Sequence, residues 1–253
     1  MEAKGEINQR ETRIKRKEML EKRKSIDEIM KTAVSEKDCL SQFPQFRHYQ
    51  RNGLFVHLES GRGDKLSSDT KKCIQNLLKL NMEAPYGPEW PAEEKVKRRE
   101  MVASEARYIF VHEIPNEDAI KESESVDKER KFTCYPIVGF VHYRFILEEE
   151  VPVLYVYELQ LEPHVQGKGL GKFLMQLIEF IARKNKMGAV VLTVQKANLV
   201  AMDFYLHKLK YTVSAISPSR VDPLLGLEKS YEILCKAFYH EAQVVLEREE
   251  TCL

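Results

Sequence analysis

A glycine-rich loop between a strand and an amphipathic helix constrains the fold of this sequence most. Residues 151–161 have the pattern of a strand, and residues 190–194 have that of a buried strand. The loop between them, residues 166–172, contains three glycines. A helix opens inside this loop, with an apolar face formed by Leu170, Phe173, Leu174, Leu177, Ile178 and Ile181. A strand–loop–helix–strand unit of this kind predicts an α/β domain with a mixed sheet.

The loop has the chemistry of an anion-binding site. Gly169 and Gly171 let the backbone approach a phosphate closely, and the first amides of a helix lack acceptors within that helix. Lys168 and Lys172 add positive charge nearby. The spacing matches neither the ATP- or GTP-binding loop nor the dinucleotide-binding loop. Two interpretations remain open from the residues alone: a phosphate site, or a plain turn that starts a helix.

Composition and charge exclude several classes of protein. The 253 residues suffice for one large domain or two small ones. With 40 Lys and Arg against 39 Asp and Glu, the net charge of +1 argues against bulk binding to nucleic acid or a membrane surface. The five cysteines form no CxxC pair, which fits a reducing compartment, and the seven histidines form no ligand-spaced cluster. We therefore predict no metal site, no membrane span and no sequence-specific binding to nucleic acid.

The first thirty residues differ from the rest of the chain. Residues 13–24 carry seven lysines and arginines against two glutamates, which predicts a basic helix with little to bury. Three interpretations remain open: a solvated helix, a nuclear-import signal, or a dock for an acidic partner such as the ribosome or chromatin. We divide the chain into a basic helical segment at 1–40, a globular domain at 41–237 and a C-terminal tail at 238–253.

The loop resembles a family signature. Gln166-x-x-Gly169-x-Gly171 is similar to the coenzyme A diphosphate loop of the GNAT acetyltransferases, and Asn198-x-x-Ala201-x-x-Phe204-Tyr205 resembles a second cofactor element of that family. Further blocks resemble the NatD-type branch, the histone N-alpha-acetyltransferases. They are Arg51-Asn52-Gly53-Leu54, Asn81-Met82, Glu89-Trp90, Lys97-Arg98-Arg99-Glu100-Met101, Leu154-Tyr155-x-Tyr157-Glu158-x-Gln160-Leu161 and Ser230-Tyr231-Glu232-Ile233-Leu234. The resemblance covers about residues 40–236.

The resemblance implies a fold, a reaction and a location. The fold would be a central mixed, mostly antiparallel sheet flanked by helices, and residues 41–237 would be the acetyltransferase domain. The reaction would move acetyl from acetyl-CoA to the α-amine of histones two-A and four, whose tails begin Ser-Gly-Arg-Gly. The enzyme would be a monomer in the nucleus and cytoplasm. The implied cofactor-binding residues are Leu159, Gln160, Leu161, Gln166, Gly167, Lys168, Gly169, Leu170, Gly171, Lys172 and Asn198.

The same resemblance assigns catalytic roles. An α-amine has a pKa of ~7.7–8.0, so a proton must leave near neutral pH before the amine attacks the thioester. By similarity Glu158 is the general base, with Tyr157 beside it; the alternative is a strand glutamate that faces solvent. Tyr205 occupies the position of a tyrosine that protonates the departing thiolate in many acetyltransferases. Its alternative is an aromatic side chain that packs on the cofactor side of the core.

Peptide recognition would come from aromatic and acidic side chains that suit a cationic tail. The residues that match are Tyr86, Trp90, Glu148, Tyr155, Tyr157 and Tyr231. For Trp90 the alternative interpretation is a residue of the core or a hinge. The chain also departs from the branch pattern, since Ile146 stands where that pattern has an Asp. Two other functions remain open: acetylation of lysine side chains or small amines, and a non-catalytic module that binds CoA and docks on chromatin.

Overall fold

The computed structural model describes residues 2–115 and 135–247. The chain divides into two compact units, Met1–Glu36 and Lys37–Leu253. The first unit is one long helix, α1 (Glu2–Ser35), which confirms the helix predicted for this segment. Its side chains between residues 13 and 24 are exposed to solvent. In the part of the chain that the structure describes, no helix is long and apolar enough to cross a membrane.

The second unit is built around a single sheet. Its strands are β1 (His48–Arg51), β2 (Leu54–Arg62), β3 (Arg107–Glu113), β4 (Ile137–Glu148), β5 (Val151–Leu161), β6 (Ala189–Gln195), β7 (Thr212–Val213) and β8 (Tyr231–Ala237). Its helices are α2 (Ser68–Tyr86), α3 (Trp90–Met101), α4 (Leu170–Lys184), α5 (Leu199–Asp203), α6 (Pro218–Val221), α7 (Pro223–Glu228) and α8 (His240–Leu246). A π-helical turn, Phe204–Lys208, continues α5.

The sheet is mixed and mostly antiparallel, as predicted. Its strand order is β1-β2-β3-β4-β5-β6-β8-β7. Only β5 and β6 run parallel among the described pairs, and α4 makes the crossover between them. Helices α2 and α3 bury apolar side chains against β3 and β4 in a cluster that includes Leu77, Met101 and Phe140. The α/β fold class with a helix-flanked sheet is therefore confirmed.

The parallel pair separates part-way along its length. β5 and β6 pair from Val153 opposite Ala189 to Val156 opposite Leu192. Beyond that point β5 continues to Leu161 and β6 to Gln195 without pairing with each other. The main-chain groups of β5 that face β6 are therefore left without a strand partner, and a gap opens in the middle of the sheet.

A bulge in β5 lies at the start of this gap. Glu158 pairs with His142 and Val156 pairs with Tyr143, so Tyr157 is an extra residue on β5. A bulge re-aims the side chains on either side of it. Here it places the predicted base at the point where the two strands part.

The segment after residue 237, predicted as a C-terminal tail, contains α8. Its Leu246 is fully buried in a cluster with Val153, Val191 and Cys235. The carbonyl of Leu246 accepts a hydrogen bond of 2.9 Å from the Ser214 hydroxyl. Helix α8 therefore packs on the sheet. Residues 248–253 of the predicted tail lie outside the described residues.

Candidate active site

A cleft of about 750 Å³ occupies the gap between β5 and β6. The walls come from α2, α3 and β4 on one side and from β6, α5 and the segment before β8 on the other. Six carboxylates and two ammonium groups line it among the described residues, namely Glu89, Glu93, Glu100, Glu148, Glu158, Glu228, Lys97 and Lys229. Five tyrosines line it as well: Tyr86, Tyr155, Tyr157, Tyr205 and Tyr231. The cleft is thus acidic and aromatic.

Glu158 lies on the floor of this cleft and is 5% exposed. Its carboxylate receives 2.5 Å and 2.9 Å hydrogen bonds from the Lys97 ammonium and the Gln160 side-chain amide. Gln160 is fixed in turn by Asn81, whose amide donates to it over 2.9 Å. Because the carboxylate is buried and accepts two hydrogen bonds, it is held in one orientation at the point where β5 and β6 separate. The structure therefore excludes the alternative of a solvent-facing strand glutamate.

Lys97 projects from α3 and links the cleft wall to its floor. Its ammonium donates a hydrogen bond to Glu158 and lies 5.4 Å from the centre of the Tyr86 ring. Burial by itself would lower the pKa of Lys97, but the charge of Glu158 and the interactions with Tyr86 together raise it above its usual range. Lys97 therefore stays protonated, and the cleft contains a fixed positive charge next to the predicted base.

The predicted substrate-binding tyrosines surround Glu158. Arg144 stacks its guanidinium 4.5 Å from the centre of the Tyr157 ring, and His142 stacks on that ring at 4.9 Å. Tyr155 shares a 2.5 Å hydrogen bond with Thr193 on β6, and burial raises the pKa of Tyr155 to about 12. These contacts lock the rings, so the aromatic wall is preformed.

Glu148 and Tyr205 also line the cleft. Burial, followed by the neighbouring charge of Glu149, raises the pKa of Glu148. Burial, followed by the charge of Glu158, raises the pKa of Tyr205 above its usual range. The phenol of Tyr205 therefore keeps its proton at neutral pH and can serve as a donor. Asn198 faces the same cleft and caps α5, since its side-chain oxygen accepts a 3.1 Å hydrogen bond from the Ala201 amide.

Two of the predicted site residues, Trp90 and Leu161, have structural contacts that differ from their predicted roles. Trp90 does not line the cleft: it is 3% exposed within the cluster under α2 and α3, with the Tyr86 ring 5.9 Å away. Its large apolar ring is buried with the core, so it supports Tyr86 from behind. The carbonyl of Leu161 already accepts hydrogen bonds of 3.1 Å from Asn81 and 2.9 Å from Gln166. Both of its lone pairs are therefore used within the protein.

The glycine loop ends at α4 in the conformation that its sequence predicts. Gly167 and Gly169 have φ values of +72° and +90°, which disfavour any side chain. Gly169 is the N-cap, and the first intrahelical bond runs from the Phe173 amide to its carbonyl. The main-chain amides that come before Phe173 in this first turn therefore have no acceptor inside the helix. Gly171 adds close packing, because a Cβ there would lie 3.3 Å from the Phe204 ring.

These features fit a coenzyme A diphosphate. The exposed amides and the positive end of α4 suit an anion, and Lys168 and Lys172 flank them. The part of β5 that lacks a partner strand on the β6 side connects this loop with Glu158. Among the described residues no group of three metal-ligating side chains is found.

The sequence pattern of the GNAT acetyltransferase family matches residues 74–211, more than half of the chain. The chain belongs to the GNAT acetyltransferase family. The acetyltransferase therefore uses acetyl-CoA as cosubstrate, and the residues just described are the ones available to bind it. The match includes α2 from residue 74 onward, all of α3, the separated strands and the glycine loop.

Solved structures with a similar fold include several acetyltransferases. The PaiA N-acetyltransferase from Thermoplasma acidophilum, in complex with coenzyme A, is 17% identical, covers 72% of this chain and 99% of its own, and has a TM-score of 0.46. Naa50 from Arabidopsis thaliana, in complex with a bisubstrate analogue, is 17% identical over the same shares, with a TM-score of 0.43. Naa60 from the same plant is 10% identical over those shares, with a TM-score of 0.45. Likeness at this level carries no information about substrate.

The acetyltransferase site contains residues to which sequence reasoning gave no role. Lys97 and Asn81 occur within the matching sequence blocks but have no predicted role there, and Gln195 lies outside those blocks. One signal was present for α3: Glu93, Lys97 and Glu100 recur at helical spacing and all three line the cleft. No local signal marks Gln195, which lies at the end of β6 and lines the same cleft.

Proposed function

We propose that this acetyltransferase is an N-alpha-acetyltransferase of the NatD type, acting on histone tails that begin Ser-Gly-Arg-Gly. The observation that carries the proposal is the acidic, aromatic cleft with a buried carboxylate at its floor. A cationic tail that enters it meets carboxylates on both walls and tyrosine faces between them. A small amine would use little of this surface, so a peptide is the better match.

Glu158 is the base in this proposal. Bound acetyl-CoA supplies an activated acetyl thioester. Glu158 takes a proton from the α-ammonium of the tail, directly or through a water, and the Gln160 and Lys97 contacts keep its oxygens in place. The main-chain amides of β5 that face the gap beyond Val156 stabilise the negative charge that develops on the thioester carbonyl oxygen. The C–S bond of the thioester then breaks, and the neutral phenol of Tyr205 is the proton donor available across the gap for the departing thiolate.

The arginine of the tail needs a carboxylate near the mouth of the cleft. Ile146 and Glu148 both line it and lie two residues apart on β4, so their side chains share a face. Since Ile146 replaces the Asp of the branch pattern, Glu148 provides the charge on this strand. The half-buried Glu100 on α3 lines the same cleft and is a second carboxylate available to the arginine.

The basic helix α1 supports a second part of the proposal. Its cluster of lysines and arginines suits contact with ribosome or chromatin, or recognition for nuclear import, and the protein would act as a monomer in the nucleus and cytoplasm. Fractionation of cells that express the full chain, compared with a chain in which the residues 13–24 cluster is neutralised, tests this part.

A peptide panel tests the substrate. Initial rates are measured with acetyl-CoA and three peptides: a free Ser-Gly-Arg-Gly tail, the same tail with its amine blocked and a lysine added, and a free Ser-Gly-Glu-Gly tail. The first should be acetylated. The third should lose roughly 10- to 150-fold in kcat/KM, the worth of a hydrogen-bonded charge pair. Preference for the blocked peptide would assign lysine acetylation, and CoA binding without turnover of any amine would assign a non-catalytic module.

A further inference from the structure

The tip of the β1–β2 hairpin lies against the coenzyme A loop. The hairpin turns at Asn52 and Gly53, whose φ values of +53° and +69° are those of a tight two-residue turn. From this hairpin two side chains reach the same atom. The Tyr49 hydroxyl donates to the Lys168 carbonyl at 2.5 Å, and the Asn52 side-chain amide donates to it at 3.2 Å. These residues lie outside the segment that matches the family pattern, which begins at residue 74.

We propose that Tyr49 and Asn52 are positioning residues for the diphosphate of acetyl-CoA, because they hold the Lys168 carbonyl and thereby aim the Gly169 amide outward. The C=O of one residue and the N–H of the next point in opposite directions across a trans peptide. With the Lys168 carbonyl turned toward the hairpin, the Gly169 N–H points away from it, toward solvent, where an anion can bind.

The fit between the hydroxyl and the loop supports this assignment. Tyr49 is 8% exposed, and its ring packs 4.9 Å from that of Phe173 in the first turn of α4. A Cβ added to Gly169 would lie 2.9 Å from the Tyr49 oxygen. The N-cap of α4 also has no side chain of its own to fix the turn. The hairpin supplies that fixation and leaves the loop amides free for the ligand.

The inference rests on the use of acetyl-CoA and is independent of which amine is acetylated. The test variants are Tyr49→Phe, which keeps the ring packing, and Asn52→Gly, which keeps the positive φ. The control is Ser214→Ala, which also removes a buried hydroxyl that donates to a main-chain carbonyl. Ser214 directly follows β7, which lies at the opposite end of the sheet from β1. All are made in the full chain, with folding checked by thermal melts.

Two measurements test whether Tyr49 and Asn52 position the diphosphate loop. By calorimetry, CoA binding should weaken about 5- to 10-fold in Tyr49→Phe, less in Asn52→Gly, and not in Ser214→Ala. In turnover, kcat/KM should fall by the same factor with acetyl-CoA but stay unchanged with S-acetylpantetheine, which lacks the diphosphate. Equal losses with both thioesters would assign a general structural role and overturn the proposal, as would unchanged CoA affinity in folded Tyr49→Phe. If Tyr49→Phe does not fold, the same comparison in the solvent-exposed Asn52→Gly decides.

Discussion

Replacement of Glu158 by glutamine is the strongest perturbation of the proposed chemistry. The variant keeps the shape and much of the hydrogen bonding but removes the base. Loss of a general base costs 10²–10⁴ in rate, or about 2.7–5.5 kcal/mol of transition-state stabilisation. The loss should depend on pH. With an α-amine pKa of ~7.8, about 5% of the tail is already deprotonated at pH 6.5 and about 98% at pH 9.5, so the defect should shrink roughly 20-fold across that range.

The ion pair with Lys97 adds a stability effect that must be separated from catalysis. Glu158→Gln leaves the Lys97 ammonium, only 12% exposed, without its carboxylate. Breaking such a pair costs about 3 kcal/mol, whereas replacing both members with neutral groups is close to neutral. The double variant Lys97→Met with Glu158→Gln should therefore recover stability in thermal melts and remain as slow as the single variant.

A matched control is available away from the cleft. Glu179 pairs with Lys236 at 2.9 Å and does not line the site. Glu179→Gln makes the same change of carboxylate to amide, and its turnover should match the wild type at every pH. The assay is the ratio of wild-type to variant turnover between pH 6.5 and 9.5 on a Ser-Gly-Arg-Gly peptide. A ratio near one for Glu158→Gln throughout, or recovery of turnover in the double variant, would refute the assignment of Glu158 as base.

Three further predictions follow from other parts of the molecule. Gly169→Val should weaken CoA binding well over tenfold by calorimetry, because φ is +90° there and the first side-chain atom meets Tyr49; unchanged affinity in a folded variant would contradict the loop assignment. Deletion of residues 1–24 should leave peptide turnover intact, since the family match starts at residue 74; collapse of turnover would place this segment in the catalytic unit. Burial, followed by the charge of Arg144, lowers the pKa of His142 to about 3, so the stability that depends on its neutral form is present above about pH 6.5 and is lost as pH falls toward 3. Urea unfolding of His142→Phe should show a shallower acid slope than the wild type, and an equal slope in the two proteins would contradict this prediction.

Much of the fold followed from patterns that the sequence records locally. Strand β5 and the amphipathic helix α4 bracket the glycine loop as predicted, β6 is the buried strand that follows, and the helical segment before residue 40 is a helix. These predictions succeeded because periodicity reports which face of an element is buried. Trp90 shows the limit of the same reasoning, since its type suits both a core and a binding site and only the packing of α3 places it in the core.

The sequence by itself determined that a glycine-rich turn starts an amphipathic helix after a strand, because glycine spacing and apolar periodicity are local properties of the chain. Only the tertiary structure decided which side chains meet there and at the base. Lys97 and Glu158 are 61 residues apart, and Tyr49 and Lys168 are 119 apart, yet each pair lies at 2.5 Å. Such pairs form when the sheet order and the bulge at Tyr157 bring distant segments together, and local patterning contains no information about that partner choice.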